Sequence, residues 1–206
     1  MKVLGLVGSV RSLGNSEILT KEALMGAEDE GAEVEILRLT DYTVKPCTGC
    51  AACLLQETDC VINDDTNFIF DKMAESDGII LGVPCYILEA TAVIKQLIDR
   101  GFAAMQQNKV RGKAGGVLVP YATRGWTQNV FQQTNTWLLS LGLRIIDQRL
   151  IHVQGLREAP IFDKTIETAH ELGRNVARAI NSGDYSYRGE QGICPVCHDR
   201  NLRILK

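Results

Sequence analysis

Five short apolar segments, separated by amphipathic stretches, constrain the fold of this chain more than any other feature. They carry near-continuous apolar runs, which is typical of strands buried on both faces of a parallel sheet. The predicted strands cover residues 3–7, 34–39, 78–83, 114–120 and 143–153. Parallel strands need crossover connections, and amphipathic helices between the segments can supply them. We therefore predict an α/β protein with a parallel sheet covered on both faces.

The order of the elements refines this prediction. The predicted helices cover about 15–31, 67–75, 90–105, 129–141 and 164–180. Five strands in regular alternation with helices indicate a flavodoxin-like, doubly wound, five-stranded parallel sheet, whose ligands bind beyond the carboxyl ends of the strands. We expect one domain over 1–182, interrupted by a cysteine-rich loop at 43–61 after the second strand. A C-terminal extension over 183–206 carries a C-x-x-C motif.

Composition and charge exclude several classes of function. The 206 residues are 45% hydrophobic, and 22 basic against 25 acidic side chains give a net charge of −3, without a basic stripe. This argues against nucleic-acid partners. No stretch approaches the ~20 apolar residues that cross a bilayer. The first apolar run stops at Gly8, too short for a signal peptide, so we expect a cytoplasmic protein with no membrane partner.

Seven cysteines are the unusual part of the composition, and four of them lie within fourteen residues. In a reducing compartment, clustered cysteines more often bind metal or do redox work than form disulfides. The four follow the pattern C-x2-C-x2-C-x6-C, at Cys47, Cys50, Cys53 and Cys60. This compact run favours one [4Fe–4S] cluster held by all four thiolates. Two alternatives stay open: a zinc site, whose knuckles are usually further apart, and free or disulfide-bonded thiols.

The loop after the first strand reads G-S-V-R-S-L-G-N-S from Gly8 to Ser16. It ends a strand and opens a helix, so backbone N–H groups and the helix dipole face one spot. Hydroxyls and the Arg11 guanidinium suit a terminal phosphate. The dinucleotide fingerprint and the lysine of a Walker loop are absent. The alternative is an ordinary strand–helix turn with capping serines.

The pattern G-S-x-R-x-x-G-N-S resembles the FMN-binding loop of the NADPH-dependent FMN reductase and iron–sulfur flavoprotein group. The resemblance implies that the loop holds the FMN phosphate through Ser9, Arg11, Asn15 and Ser16, with Ser12 and Gly14 completing it. The cysteine pattern is similar to the compact motif of the iron–sulfur flavoproteins. The resemblance therefore implies FMN and a [4Fe–4S] cluster as cofactors.

Two further loops are candidates for the flavin site. The third predicted strand ends in P-x-Y and is followed by A-x-x-K-x-x-x-D-R, similar to a second motif of the family. The loop backbone there is implied to cover the flavin ring, with Pro84, Cys85, Tyr86 and Ile87 as site residues. Cys85 favours a packing role over a ligand role. The loop after the fourth strand departs from the glycine-rich family pattern but contributes Thr123, Arg124, Gly125 and Trp126 as further candidates.

The extension contains Cys194, Cys197 and His198 in the order C-P-V-C-H. Two thiolates, even with the histidine, do not close a tetrahedral metal site. Three interpretations remain open: half of a metal site, for example for zinc, completed by another subunit; a redox dithiol; and a spare thiol pair. The isolated histidines at 152 and 170 are interpreted as packed or surface residues.

The leading hypothesis is an FMN-dependent oxidoreductase, an iron–sulfur flavoprotein. The resemblance implies a ferredoxin-like electron donor, a small acceptor such as O2, peroxide or a quinone-like molecule, and a homodimer or homotetramer. One alternative is an NAD(P)H-dependent FMN or quinone reductase whose cysteines hold structural zinc. Another is a non-enzymatic redox- or metal-sensing module that binds a partner through its tail.

Overall fold

The computed structural model describes residues 1–194 and 196–200. Its central sheet has five parallel strands in the spatial order β2-β1-β3-β6-β7, with a separate two-stranded antiparallel hairpin formed by β4 and β5. The strands are β1 Lys2–Val7, β2 Glu33–Arg38, β3 Gly78–Gly82, β4 Cys85–Tyr86, β5 Glu89–Ala90, β6 Ala114–Tyr121 and β7 Arg144–His152. Counting only the five strands of the large sheet, this order is 2-1-3-4-5, the flavodoxin-like topology. The predicted fold class is confirmed.

Seven α-helices connect the strands within the described residues. They are α1 Asn15–Asp29, α2 Ala52–Leu55, α3 Thr66–Ala74, α4 Ala92–Arg100, α5 Phe102–Gln106, α6 Val130–Ser140 and α7 Asp163–Ser182. Two short 3-10 turns cover Leu39–Asp41 and Ala159–Ile161. One hydrophobic cluster lies between the sheet and α3, α4 and α6, and a second lies between the sheet and α1 and α7. The sheet is therefore covered on both faces, as its apolar strands require.

The α1–α7 contact depends on two glycines. A Cβ atom at Gly26 would lie 2.0 Å from the carbonyl oxygen of His170, and one at Gly173 would lie 1.7 Å from that of Ala23. Side chains at either position would push the two helices apart. This close contact fixes the position of α1, whose first turn borders the carboxyl ends of the strands.

The predicted single helix over 90–105 is wrong. Residues 89–90 belong to the hairpin, and the helix divides at Gly101 into α4 and α5. Glycine is a weak helix former. Here the preceding residue, Arg100, also has its side chain buried in an ion pair with Asp64. The other predicted elements of the sheet and its helices agree with the structure to within two residues at each end.

The tail packs against the sheet. The backbone N–H of Arg188 donates to the carbonyl of Ile146 at 2.7 Å, so the tail pairs with the edge strand β7. Ile193 and His198 are each only 9% exposed. An uncovered edge strand is a site of aggregation, and this extension covers it.

No helix in the described part of the chain is long and apolar enough to span a membrane.

Candidate functional site

A cavity of about 580 Å³ opens at the carboxyl ends of β1, β3, β6 and β7. This volume lies within the range of ~300–1,000 Å³ that is usual for cofactor pockets. Four chain segments form its wall. The lining residues are Ser9, Arg11, Ser12, Gly14, Asn15, Ser16, Pro84, Cys85, Tyr86, Pro120, Tyr121, Ala122, Val153, Gln154, Gly155, Leu156 and Arg157.

The first wall segment is the loop between β1 and α1. Gly14 caps α1 without a side-chain hydrogen bond, and the first backbone bond of the helix runs from the N–H of Ile18 to the carbonyl of Gly14 at 3.0 Å. The N–H groups of residues 15–17 therefore have no partner within the helix and carry the positive end of its dipole. Arg11 is exposed beside them. This end of the cavity suits an anion.

Ser9 and Glu17 support that loop from within. The Ser9 hydroxyl is buried and accepts a hydrogen bond from the backbone N–H of Arg11 at 3.3 Å. The Glu17 carboxylate accepts from the N–H of Leu13 at 2.7 Å, where Leu13 has a positive φ of 52°. Burial opposes ionisation of Glu17, but hydrogen bonds from Lys21 and Leu13 outweigh it and lower the pKa of this carboxyl. The loop is thus held in one conformation by charged and polar partners.

Asn15 makes two hydrogen bonds within the chain that the family resemblance does not imply. Its Nδ2 donates to the carbonyl of Gly155 at 2.9 Å, and its Oδ1 accepts from the N–H of Ala159 at 3.1 Å. Asn15 therefore connects the start of α1 to the segment after β7. It lines the cavity, but its carbonyl and one N–H are already used to fix the opposite wall.

The hairpin forms a second wall. Its turn residues Ile87 and Leu88 both have positive φ, 46° and 74°, which is a strained conformation for a bulky residue and most of all for the β-branched Ile87. Ile87 is 79% exposed. The Cys85 thiol donates to the carbonyl of Trp126 at 3.1 Å, and burial raises the pKa of this thiol. Cys85 therefore joins the hairpin to the loop after β6 as a protonated thiol.

Most of the predicted flavin-site residues come together here, with clear exceptions. Ile87 does not line the cavity, and neither do the four candidates Thr123, Arg124, Gly125 and Trp126. The third loop instead contributes its first residues, 120–122. Residues 153–157 also line the cavity but were not predicted as site residues. Their position after the last parallel strand could have indicated them, since all parallel strands end at the same edge of the sheet.

The cysteine-rich loop lies beyond β2, and its four predicted ligands differ in exposure. Cys47 and Cys50 are exposed, whereas Cys53 and Cys60 are partly buried. The Cys47 sulfur accepts from the N–H of Gly49 at 3.4 Å. Hydrogen bonds, first from the backbone of Ala52, lower the pKa of Cys50. Such N–H···S contacts favour the thiolate, the form of cysteine that binds metal.

Arg100 holds the end of this loop in the protein interior. It forms an ion pair with Asp64 at 2.7 Å, and neither side chain is exposed. The same guanidinium donates to the carbonyl of Lys45 at 2.8 Å and to the Cys60 sulfur at 3.1 Å. Burial opposes ionisation of Asp64, but hydrogen bonds from Arg100, Lys45 and Thr66 outweigh it and hold the pKa of Asp64 far below its ordinary value. One buried cation therefore links both ends of the cysteine loop.

The donor set of the loop fits an iron–sulfur cluster, because four cysteines with thiolate-stabilising hydrogen bonds are its usual ligands. Their sulfur atoms are not assembled: over residues 1–194 and 196–200, no three His, Cys, Asp or Glu side chains converge as a metal site. The structure thus brings the ligands to one loop, which Arg100 holds near its ends. Gln106 and Gln107 hold its middle, through hydrogen bonds to the carbonyl of Leu54 at 3.4 Å and the carboxylate of Asp59 at 3.1 Å.

The third predicted group lies far along the chain. Cys194 and Cys197 are partly buried and His198 is buried, on the part of the tail that covers β7. They are separate from the cavity at the strand ends, whose lining includes none of them.

Comparisons with known proteins agree with this architecture. The family model described as NADPH-dependent FMN reductase matches residues 1–155. An iron–sulfur flavoprotein of Methanocaldococcus jannaschii is 36% identical over 189 residues, covering 87% of this chain and 97% of the relative. A solved flavone reductase aligns with a TM-score of 0.81 at 24% identity, over 100% of this chain and 72% of its own. A two-electron-reduced flavodoxin from Megasphaera elsdenii aligns with a TM-score of 0.56 at 21% identity, over 85% of this chain and 99% of its own.

The two solved structures show the fold. The family model and the relative from Methanocaldococcus jannaschii show the family. The chain belongs to the NADPH-dependent FMN reductase family, as one of its iron–sulfur flavoproteins. It is an FMN-dependent oxidoreductase.

Proposed function

We propose that the protein takes electrons from a ferredoxin-like donor at a [4Fe–4S] cluster and delivers them through FMN to a small acceptor such as O2, peroxide or a quinone-like molecule. The observation that carries the proposal is the combination, in one chain, of an anion-binding cavity at the strand ends with a four-cysteine loop held by a buried arginine. We place this activity in a reducing, cytoplasmic compartment, where cysteines stay reduced rather than form disulfides.

In this proposal the loop between β1 and α1 binds the FMN phosphate. The free N–H groups at the start of α1 donate to phosphate oxygens, as do the hydroxyls of Ser12 and Ser16, and Arg11 supplies the charge. Ser9 supports the loop through its bond to the N–H of Arg11. Pre-formed donors of this kind bind an anion with little reorganisation of the chain.

The flavin ring would be held where the hairpin and the loop after β6 line the cavity, by Pro84, Cys85 and Tyr86 of the hairpin segment and by Tyr121 and Ala122 of the segment after β6. Tyrosine rings offer flat apolar surface to a planar group. When bound, FMN exchanges one or two electrons and a [4Fe–4S] cluster exchanges one, which allows single electrons to be collected for a two-electron acceptor.

Cys47, Cys50, Cys53 and Cys60 are the proposed cluster ligands. Arg100 Nε donates to the Cys60 sulfur at 3.1 Å, so the position of this ligand is fixed by a buried cation. Hydrogen bonds to the sulfurs are one of the means by which proteins set the potential of such clusters. The alternative is a zinc ion bound to the same four thiolates. Analysis of the bound metal distinguishes zinc from an iron–sulfur cluster.

Exposed apolar side chains support the proposal of a homodimer or homotetramer. Leu55 in the cysteine loop is 78% exposed, and Ile87 and Leu156 beside the cavity are 79% and 72% exposed. Large apolar side chains at both sites favour burial against another subunit. A second subunit would shield both redox groups from water.

A second candidate function follows from the family match, which is described as NADPH-dependent. In that case NADPH reduces the flavin directly, without a ferredoxin-like protein. Arg157 lines the cavity and is exposed, so its cationic side chain is available to the phosphates of such a ligand. The two candidates differ in the identity of the electron donor.

Rapid mixing under anaerobic conditions separates them. We expect a chemically reduced bacterial ferredoxin to bleach the flavin absorbance of the purified holoprotein much faster than NADPH does. Cys50→Ser should abolish this reaction, whereas Thr58→Ser, in the same loop, should leave it intact. Fast bleaching by NADPH, equal in the two variants, would contradict the proposed route and support the second candidate.

A further inference from the structure

The tail motif around Cys194 has no part in the proposed electron route, yet it is held in place by buried hydrogen bonds. Asn135 Nδ2, on α6, donates to the carbonyls of Cys197 at 3.0 Å and His198 at 3.3 Å. Gln148 Nε2, on β7, donates to the carbonyl of His198 at 2.7 Å. Asn135 and Gln148 are 1% and 2% exposed and bond to each other at 2.8 Å. Two buried amides therefore fix the backbone of the motif.

The backbone of the motif forms a closed turn. The N–H of His198 donates to the carbonyl of Cys194 at 3.0 Å, and the N–H of Cys194 donates to the carbonyl of Asp199 at 3.1 Å. The Cys194 sulfur accepts hydrogen bonds from the backbone N–H groups of Cys197 and Val196 and from the Cys197 thiol. These bonds lower the pKa of Cys194, while the same thiol pair raises the pKa of Cys197. The two sulfurs are thus adjacent and unequal.

His198 is the second observation that points to chemistry at this place. Its ring is stacked on Tyr187 at 4.2 Å between centroids, with 14° between the planes, and the residue is 9% exposed. Among the described residues, its Nδ1 has no hydrogen-bond partner. Burial lowers the pKa of His198, so the ring is neutral near pH 7. His198 and Cys194 both line a cavity of about 210 Å³.

Two metal-based interpretations fit the structure less well than dithiol chemistry. A closed tetrahedral metal site needs four ligands, and the motif supplies at most three, two thiolates and one histidine. The order C-x-x-C-H is also that of covalent haem attachment. The histidine is already stacked on Tyr187, however, and the adjacent cavity is below the ~300 Å³ at which cofactor pockets begin.

We propose that Cys194 and Cys197 form a redox-active dithiol that reacts with low-molecular-weight disulfides. The Cys194 thiolate attacks one sulfur of the disulfide, which forms a mixed disulfide and releases the first thiolate. Cys197 then loses its proton to solvent and attacks the Cys194 sulfur, which releases the second thiolate. The chain loses two protons and two electrons as its own disulfide forms, and the small disulfide becomes two thiols. Partial exposure of both cysteines admits such a reagent.

The experiment uses the purified holoprotein in glutathione buffers of increasing disulfide content. After thiol alkylation, trypsin releases residues 189–200, a peptide that contains Cys194 and Cys197 and none of the other five cysteines. As the glutathione disulfide fraction rises, we expect the doubly alkylated form of this peptide to disappear. A form without alkyl groups, two hydrogens lighter than the free dithiol peptide, should replace it. In reduced protein near pH 7, we expect alkylation of Cys194 to be at least ~10-fold faster than that of Cys197.

Two single variants test the order of the steps. Cys197→Ser should accumulate a stable mixed disulfide with glutathione on Cys194. Cys194→Ser should form much less adduct on Cys197, because that thiol lacks the stabilising N–H groups. A peptide that stays reduced in every buffer, equal adduct formation in the two variants, or one bound zinc per chain that protects both thiols would each overturn the proposal. The proposed electron route through FMN does not depend on any of these results.

Discussion

The cavity at the strand ends and the cysteine loop differ in how completely the chain builds them. The cavity has its donors, turns and opposite wall fixed by internal hydrogen bonds, with Asn15 joining two of its segments. The cysteine loop is held near its ends by Arg100 and in its middle by Gln106 and Gln107, but over residues 1–194 and 196–200 its sulfurs do not converge. The difference shows that backbone topology is enough to build a phosphate site, whereas a metal site on an irregular loop also needs the metal's own bonds.

Removal of the Arg100 guanidinium should have the largest effect and should act on the loop alone. Arg100→Leu leaves the Asp64 carboxylate buried without its partner, which costs about 3–5 kcal/mol. We expect the free energy of unfolding in urea to fall by that amount, with loss of iron, while FMN affinity of the folded protein stays within about 2-fold. The double variant Arg100→Leu/Asp64→Leu should recover part of the stability. Equal losses in the single and double variants would show that the buried charge is not the cause.

Loss of charge at the phosphate end should have the next largest effect and should act on the cavity alone. Arg11→Leu removes a charge-assisted hydrogen bond to phosphate, so FMN affinity should fall about 10- to 100-fold with iron content unchanged. The matched control is Arg124→Leu, since Arg124 was predicted from sequence but does not line the cavity. Fluorescence titration of the apoprotein with FMN measures both. A larger loss for Arg124→Leu would mean that the bound flavin extends past Ala122 to residues 123–126, which do not line the cavity.

The strained hairpin tip offers a smaller effect of opposite sign. Replacing Ile87 and Leu88 with Asn and Gly, which adopt positive φ readily, should stabilise the protein by about 1–2 kcal/mol. Thermal unfolding measures the gain, with Glu89→Gln as a nearby control outside the turn. If the melting temperature is unchanged or falls, the apolar tip is stabilised by contacts that the isolated chain does not show, such as those with a second subunit.

The smallest effect concerns the helix pair behind the sheet. A hydrogen bond to Asp29, and then one to Glu22, raise the pKa of His170 against its desolvation. A raised folded-state pKa stabilises the protein fully below the unfolded pKa of ~6.5, and this contribution is lost as pH rises through the folded value. As the pH rises from below 6.5 to above the raised pKa of His170, we expect the free energy of unfolding to fall by about 0.5 kcal/mol. Urea unfolding of His170→Gln should lack this pH dependence; an unchanged profile would assign it to another group.

These contrasts also show what could be predicted from the sequence. The α/β class and the strand-end position of the cavity could be predicted from the apolar strands, because apolar runs and the order of strands and helices can be read directly along the chain. The division of the helix at Gly101 was missed although glycine is a weak helix former, whereas the buried ion pair of Arg100 with Asp64 beside it joins residues 36 positions apart and could not be predicted. The role of Asn15 likewise depends on Gly155, which is 140 residues away. The candidates at 123–126 rested on Gly125 and Trp126 as partners of a planar ligand; they do not line the cavity and stay a prediction.

The cofactor content of anaerobically purified protein tests most directly whether two separate sites hold the two redox groups. We expect about four irons, four acid-labile sulfides and one FMN per chain. We also expect Cys47→Ser to lose most iron and sulfide but keep FMN, whereas Thr58→Ser should keep all three. Stoichiometric zinc without sulfide, or loss of FMN together with the metal in Cys47→Ser, would contradict the claim that two separate sites hold the two redox groups.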